Sequence, residues 1–102
     1  MHEDFLRAIH NKNIIIIRFN SNEKGIISRR CIPFDFGPSR RYKDKQDRYH
    51  LYDLDSPSKS HNLSLLPSQL LNLIVTEETF EPGDYVTWQP NWIVARDWGR
   101  FS

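Results

Sequence analysis

The chain has 102 residues, 38% hydrophobic and 26% charged, which is enough for one globular domain and too little for two. A net charge of +1 excludes bulk polyelectrolyte attraction, and a single cysteine, Cys31, excludes an internal disulfide framework. No apolar run approaches the ~20 residues of a membrane helix and no basic leader precedes a greasy segment, so the sequence reads as soluble, unexported and cytoplasmic.

In chain order, "HEDFLRAIHNKN" places Phe5, Leu6 and Ile9 at helical spacing behind acids in the first turn. "IIIIRF", Ile14 to Phe19, opens with four consecutive β-branched residues and predicts a strand buried on both faces. "NSNEKG" is a hairpin turn closed by Gly25, and "IISRRCIPFDF" a second long strand, bent where Pro33 removes a backbone donor. A charged loop, "GPSRRYKDKQD", then leads into "RYHLYDL", where Tyr49, Leu51 and Asp53 share one face and His50, Tyr52 and Leu54 the other.

"DSPSKS" is a turn, "HNLSLL" a short fourth strand, and "PSQL" one helical turn with Pro67 at its first position. "LLNLIV" gives a fifth strand before the acidic "TEETFEPGD". The tail holds all three tryptophans and predicts a last short strand with an aromatic clasp over an open edge. The expected fold is mainly β with one N-terminal helix (α+β): a five- to six-stranded antiparallel SH3/Sm-like barrel. One domain spans 1–102, with its core at about 8–76 and the clasp at 80–102.

Charge is unevenly spread. Lys24 to His50 holds eight basic residues against three acids, whereas Leu51 to Val86 holds six acids against Lys59. Such asymmetry marks either a site for an anion or a solvated loop face.

Catalytic patterns are weak. His2, His10, His50 and His61 lack zinc spacing, and Cys31 has no second cysteine for a metal pair, so no metal and no cofactor are expected. His50 and Asp53 point to opposite faces of an alternating strand, which argues against an acid–base cluster. Four glycines form no phosphate loop. The chain reads as non-enzymatic.

Recognition is better supported. Arg29 and Arg30 are consecutive on a strand, so one points inward and needs an anion or a carboxylate. Either guanidinium with Tyr49 or Tyr52 would make a nucleotide-binding corner, and Arg40, Arg41, Tyr42 and Lys43 stand in the loop beside it. The competing account is internal pairing, for example Arg30 with Asp53. Trp88, Trp92 and Trp98 fill a core or form a patch for a protein partner or a second copy of the chain.

The order of these features resembles the WYL domain family, from Ala8 to about Leu73. Ala8-Ile9 stands on the entry helix, an apolar strand ends at Phe19, and a turn carries Gly25. Ser28-Arg29 and Ile32-Pro33 match the family's serine/arginine strand and proline. Tyr49-His50-Leu51 stands at the tripeptide, without its tryptophan, and "LSLLPSQLLNL" stands where the family has an arginine strand. The resemblance implies an Sm-like or SH3-like barrel that binds a nucleotide-like ligand or single-stranded nucleic acid and regulates a DNA-binding transcription or defence protein. Its ligand-facing set here is Ser28, Arg29, Arg30, Arg40, Arg41, Tyr49, His50 and Tyr52.

Overall fold

A computed structural model describes all 102 residues. Helix α1 spans His2–Asn11, and five strands follow: β1 Asn13–Asn20, β2 Ile26–Pro38, β3 Asp47–Asp53, β4 Asn62–Leu65 and β5 Leu70–Thr79. Short 3-10 turns lie at Pro67–Gln69, Pro82–Asp84 and Gly99–Phe101. The strands form one antiparallel sheet in the order β4-β3-β2-β1-β5.

Helix α1 forms because Phe5, Ala8 and Ile9 recur at i, i+3 and i+4, and all three are buried. It ends at Lys12, which turns left-handed at φ 57°. Strand β1 is buried on both faces only at Ile14 and Ile15; it then alternates, leaving Arg18 and Asn20 exposed. Gly25, at φ +74°, supplies the backbone angle that closes the β1–β2 hairpin. Strand β2 shifts register against β3 between Pro33 and Asp35, which is where the proline bends it.

Two expectations differ from the observed architecture. The edge strands β4 and β5 are joined through Pro67–Gln69 but share no backbone pairing, so the sheet is not closed into a barrel. The Gln69 side chain ties this turn down instead, accepting from Leu66 N (2.9 Å) and donating to the Asn20 carbonyl (3.1 Å). There is also no sixth strand. Strand β5 runs on through the acidic stretch to Thr79, paired with Asn13, and the tail beyond Asp84 is irregular.

The tail is held by side chains rather than by a ladder. Asp35 of β2 accepts from Ile93 N and Val94 N, both at 2.9 Å, and from Phe36 N at 3.0 Å. Its carboxylate also meets Arg96 at 3.4 Å, whose guanidinium lies 4.0 Å from the Trp92 ring and 4.4 Å from the Trp98 ring. The Trp98 indole donates to the Ile9 carbonyl at 2.9 Å, a second donor on an oxygen that also accepts from Lys12 N at the end of α1. Gly37 belongs to the same seam: a Cβ there would stand 2.3 Å from Ile93 Cδ1, at a φ of +153°. The clasp therefore covers the β2–β3 face around Phe34, with Trp88 and Trp92 both 5.7 Å away, and no sheet edge.

One core of 18 buried residues results. The registers place Ile15, Ile17 and Phe19 on the same face as Cys31, Arg29 and Ile27, with Asp53 and Leu51 continuing it on β3. Helix α1 covers one end of that face, where Phe5 packs edge-on against Tyr49 at 4.7 Å. The other end opens as a cavity. No helix is long and apolar enough to cross a membrane.

Candidate functional site

The open end of the inner sheet face is a cavity of about 450 Å³. Phe19, Ile27, Leu63 and Leu65 give it an apolar floor, and the hairpin turn Ser21–Lys24, Ser56–Ser58 and Gln69 form its walls. Two charged residues break the floor. Arg29 stands opposite Ile17 in the register, and Asp53 stands opposite Cys31, two residues along β2 on the same face. That diagonal brings Arg29 Nε to 3.3 Å from Asp53 Oδ2.

This ion pair is incomplete. The Arg29 Nε–H is buried and has no hydrogen-bond partner, and the only hydrogen bond from this guanidinium goes to the neighbouring Ser28 carbonyl at 3.3 Å. Asp53 is partly used by its own turn, accepting from Asp55 N at 2.9 Å. The Arg29 guanidinium is thus held 20% exposed on an apolar floor, with Asp53 as its only charged partner and its Nε–H unsatisfied.

The rim adds a second arginine and an aromatic ring. Arg48 makes a two-pronged contact with Asp44, both hydrogen bonds 2.9 Å, and its guanidinium lies 3.9 Å from the Tyr42 ring centre. The hydrogen bonds from Arg48 and from Gln46 N hold the Asp44 carboxyl at about 2, well below its ordinary value, and the same pairing raises Arg48. Arg48 is therefore neutralised in place. Tyr42 is 41% exposed, with Arg48 against one side of its ring. Behind the floor, burial first and then Asp53 and Asp55 push the Cys31 thiol far up, so it stays protonated and inert.

The residues singled out in the sequence are scattered by the fold. Arg29 lines the cavity, but Ser28 and Arg30 face the other way, and Arg30 pairs with Glu78 at 2.9 Å rather than with Asp53. Tyr49 is 5% exposed and shares a 2.9 Å hydrogen bond with His2, so its ring is core rather than a stacking platform. Tyr52 lies on the opposite sheet face, stacked on His61 at 4.8 Å and edge-on to Tyr85 at 5.0 Å. His50 donates from Nε2 to the Gly37 carbonyl (2.8 Å) and accepts at Nδ1 from Ser64 (2.9 Å).

The loop arginines also part company. Arg40 lines a smaller groove of about 330 Å³ with Asp35, Trp88 and Trp92, while Arg41 is exposed in the loop. Trp98 is core at 3% exposure and Trp92 is half-buried, donating to the Phe101 carbonyl at 2.7 Å; Trp88 remains 48% exposed. The cavity's own set, Arg29 with Asp53 and Tyr42 with Arg48, was visible in the sequence only in part. Strand parity marked Arg29 or Arg30 as inward and the charged loop placed Tyr42 beside it, but the pairings of Arg29 with Asp53 and of Arg48 with Asp44 and Tyr42 carry no local signal.

No family model matches the chain, and neither a curated protein nor a solved structure matches it.

Proposed function

We propose that the chain is a non-catalytic binding module that takes a small nucleotide-like ligand in the cavity at the open end of the sheet. The carrying observation is the partly exposed Arg29 guanidinium on the cavity floor, balanced by Asp53 alone and with its hydrogen-bonding capacity largely unused. A phosphate oxygen at the exposed part of this guanidinium competes with Asp53 for its charge, while the exposed side of Tyr42 offers a base a stacking surface. A volume of about 450 Å³ falls within the ~300–1,000 Å³ of small-molecule sites and favours a nucleotide or a strand end over a long single strand.

The strand order and the short 3-10 turn between β4 and β5 support kinship with an SH3-like barrel of the WYL kind, left open at one seam. A non-catalytic role is supported by His50, whose two ring nitrogens are both engaged, and by the deeply protonated Cys31. One buried, unpaired cysteine suits a reducing compartment such as the cytoplasm.

Mononucleotides, inorganic phosphate and a short single-stranded oligonucleotide should be titrated against the intact protein at low and high salt. Tyr42→Ala is the informative variant, because Tyr42 is exposed and its loss spares the core. Binding should weaken by about 1–3 kcal/mol, roughly ten- to a hundredfold, and wild-type affinity should fall as salt rises. Absence of binding to all three at low salt rejects the proposal. A docking role for the Trp-rich tail is a second reading, favoured by the 48% exposure of Trp88.

A further inference from the structure

The groove of about 330 Å³ lies where the loop after β2 meets the tail, with Pro38, Arg40, Trp88, Trp92 and Ile93 among its walls. Two of these are large apolar side chains left open to water: Trp88 is 48% exposed and Ile93 is 59% exposed. Both are fixed from beneath. Trp88 stands edge-on to Phe34 at 5.7 Å and to Trp92 at 6.1 Å. Ile93 donates its N–H to Asp35 at 2.9 Å and is seated over Gly37. A rigid apolar pair beside an arginine has the composition of an interface hot spot.

Charge identifies the occupant. Asp35 is the only acid in the groove and is 8% exposed, its oxygens taken by Phe36 N, Ile93 N, Val94 N and Arg96. In the adjoining loop Asp44 is held by both prongs of Arg48, whereas Arg40, Arg41, Lys43 and Lys45 form no ion pair. Of these four cations only Arg40 lines a cavity, and it lines this one. The groove thus sets a free cation beside an apolar wall, with no free acid. It also offers main chain, since no backbone hydrogen bond involves Thr87–Asn91, and Gln89 and Asn91 add their side-chain amides.

From this we infer that the groove docks a short, extended acidic segment of a partner protein, with an apolar side chain against Trp88 and Ile93, a carboxylate on Arg40 and its main chain along Thr87–Asn91. The inference rests on the docking role of the tail and is independent of the nucleotide cavity. Nucleic acid suits the groove less well, because its row of phosphates calls for a row of cations and only one arginine lines the groove. The chain's own acidic stretch, Glu77–Asp84, is not free to fill it in a second copy, because its aromatic, Phe80, is 5% exposed in the core.

A displayed library of random peptides should be selected against the intact protein, and the enriched sequences titrated as free labelled peptides. They should carry acids around a large apolar residue. Trp88→Ala and Arg40→Glu should each weaken their binding roughly tenfold. Arg18→Glu, the same charge reversal at an exposed position of β1, should leave it unchanged. Enriched peptides that need Trp88 but carry no acids overturn the inference and leave the docking role standing. Failure to enrich any peptide, or binding indifferent to Trp88→Ala, overturns both. Equal losses from Arg18→Glu and Arg40→Glu would mean bulk charge rather than a seat on Arg40, and displacement of the peptide by a single-stranded oligonucleotide would assign the groove to nucleic acid; either result overturns the inference.

Discussion

Asp35 makes the only hydrogen bonds between β2 and the tail. Its carboxylate accepts from the tail at Ile93 and Val94 and balances Arg96, whose side chain is wholly buried between two indole rings. Burial pulls Arg96 down to about 10, and the Asp35 charge resists that shift. Because the folded value lies below the unfolded one, the burial cost is fully present at neutral pH and eases only as pH rises through about 10. Asp35→Ala should therefore destabilise by about 3–5 kcal/mol, since it strands a buried charge. Replacing both ends, as Asp35→Ala with Arg96→Met, should recover a large part of that loss. Urea denaturation of the two variants measures the difference; equal losses would mean that Arg96 is not the stranded group.

At the scale of elements, the tail is a keyed segment in which the three tryptophans have unequal weight. Trp98 is 3% exposed, packs edge-on against Phe80 at 5.4 Å and bonds the end of α1, while Trp88 is 48% exposed. Trp98→Ala should cost about 3–5 kcal/mol, against less than about 0.5 kcal/mol for Trp88→Ala. Thermal or urea midpoints of the two variants provide the check, and similar values would deny the key.

The helix, all five strands, the hairpin glycine, the Pro33 bend and the single turn at Pro67 were legible because each rests on local periodicity or turn chemistry. The tail was not, since its anchor is a carboxylate 59 residues away from Val94, beyond any local pattern. The inward arginine followed from strand alternation, but which of Arg29 and Arg30 it was, and its diagonal pairing with Asp53, depended on register. Tyr49 was misread as ligand-facing because alternation names a face without saying that α1 covers it.

At the scale of the whole molecule, all three tryptophans belong to the tail and all five strands precede it. Fluorescence thus reports the clasp and far-ultraviolet circular dichroism reports the sheet and α1. The Asp35–Arg96 and Trp98–Ile9 links should fuse them into one cooperative transition. Unfolding curves followed by the two signals should coincide; a fluorescence change that precedes the loss of ellipticity would mean that the clasp opens on its own.

The Trp98–Ile9 hydrogen bond spans 89 positions of sequence. A contact of that range is made only after the ends of the described chain find each other, and the entropy of closing so long a loop is met before the contact returns any energy. Within the sheet, the β1–β2 and β3–β4 hairpins close over short separations, whereas β1 must reach β5 from Ile15 to Val75, 60 positions away. The hairpins therefore precede both the β1–β5 pairing and the clasp, with Phe34 and the end of α1 still bare. During synthesis the same order leaves that surface bare until Trp98 has emerged, and over that interval the nascent chain is most exposed to misassociation.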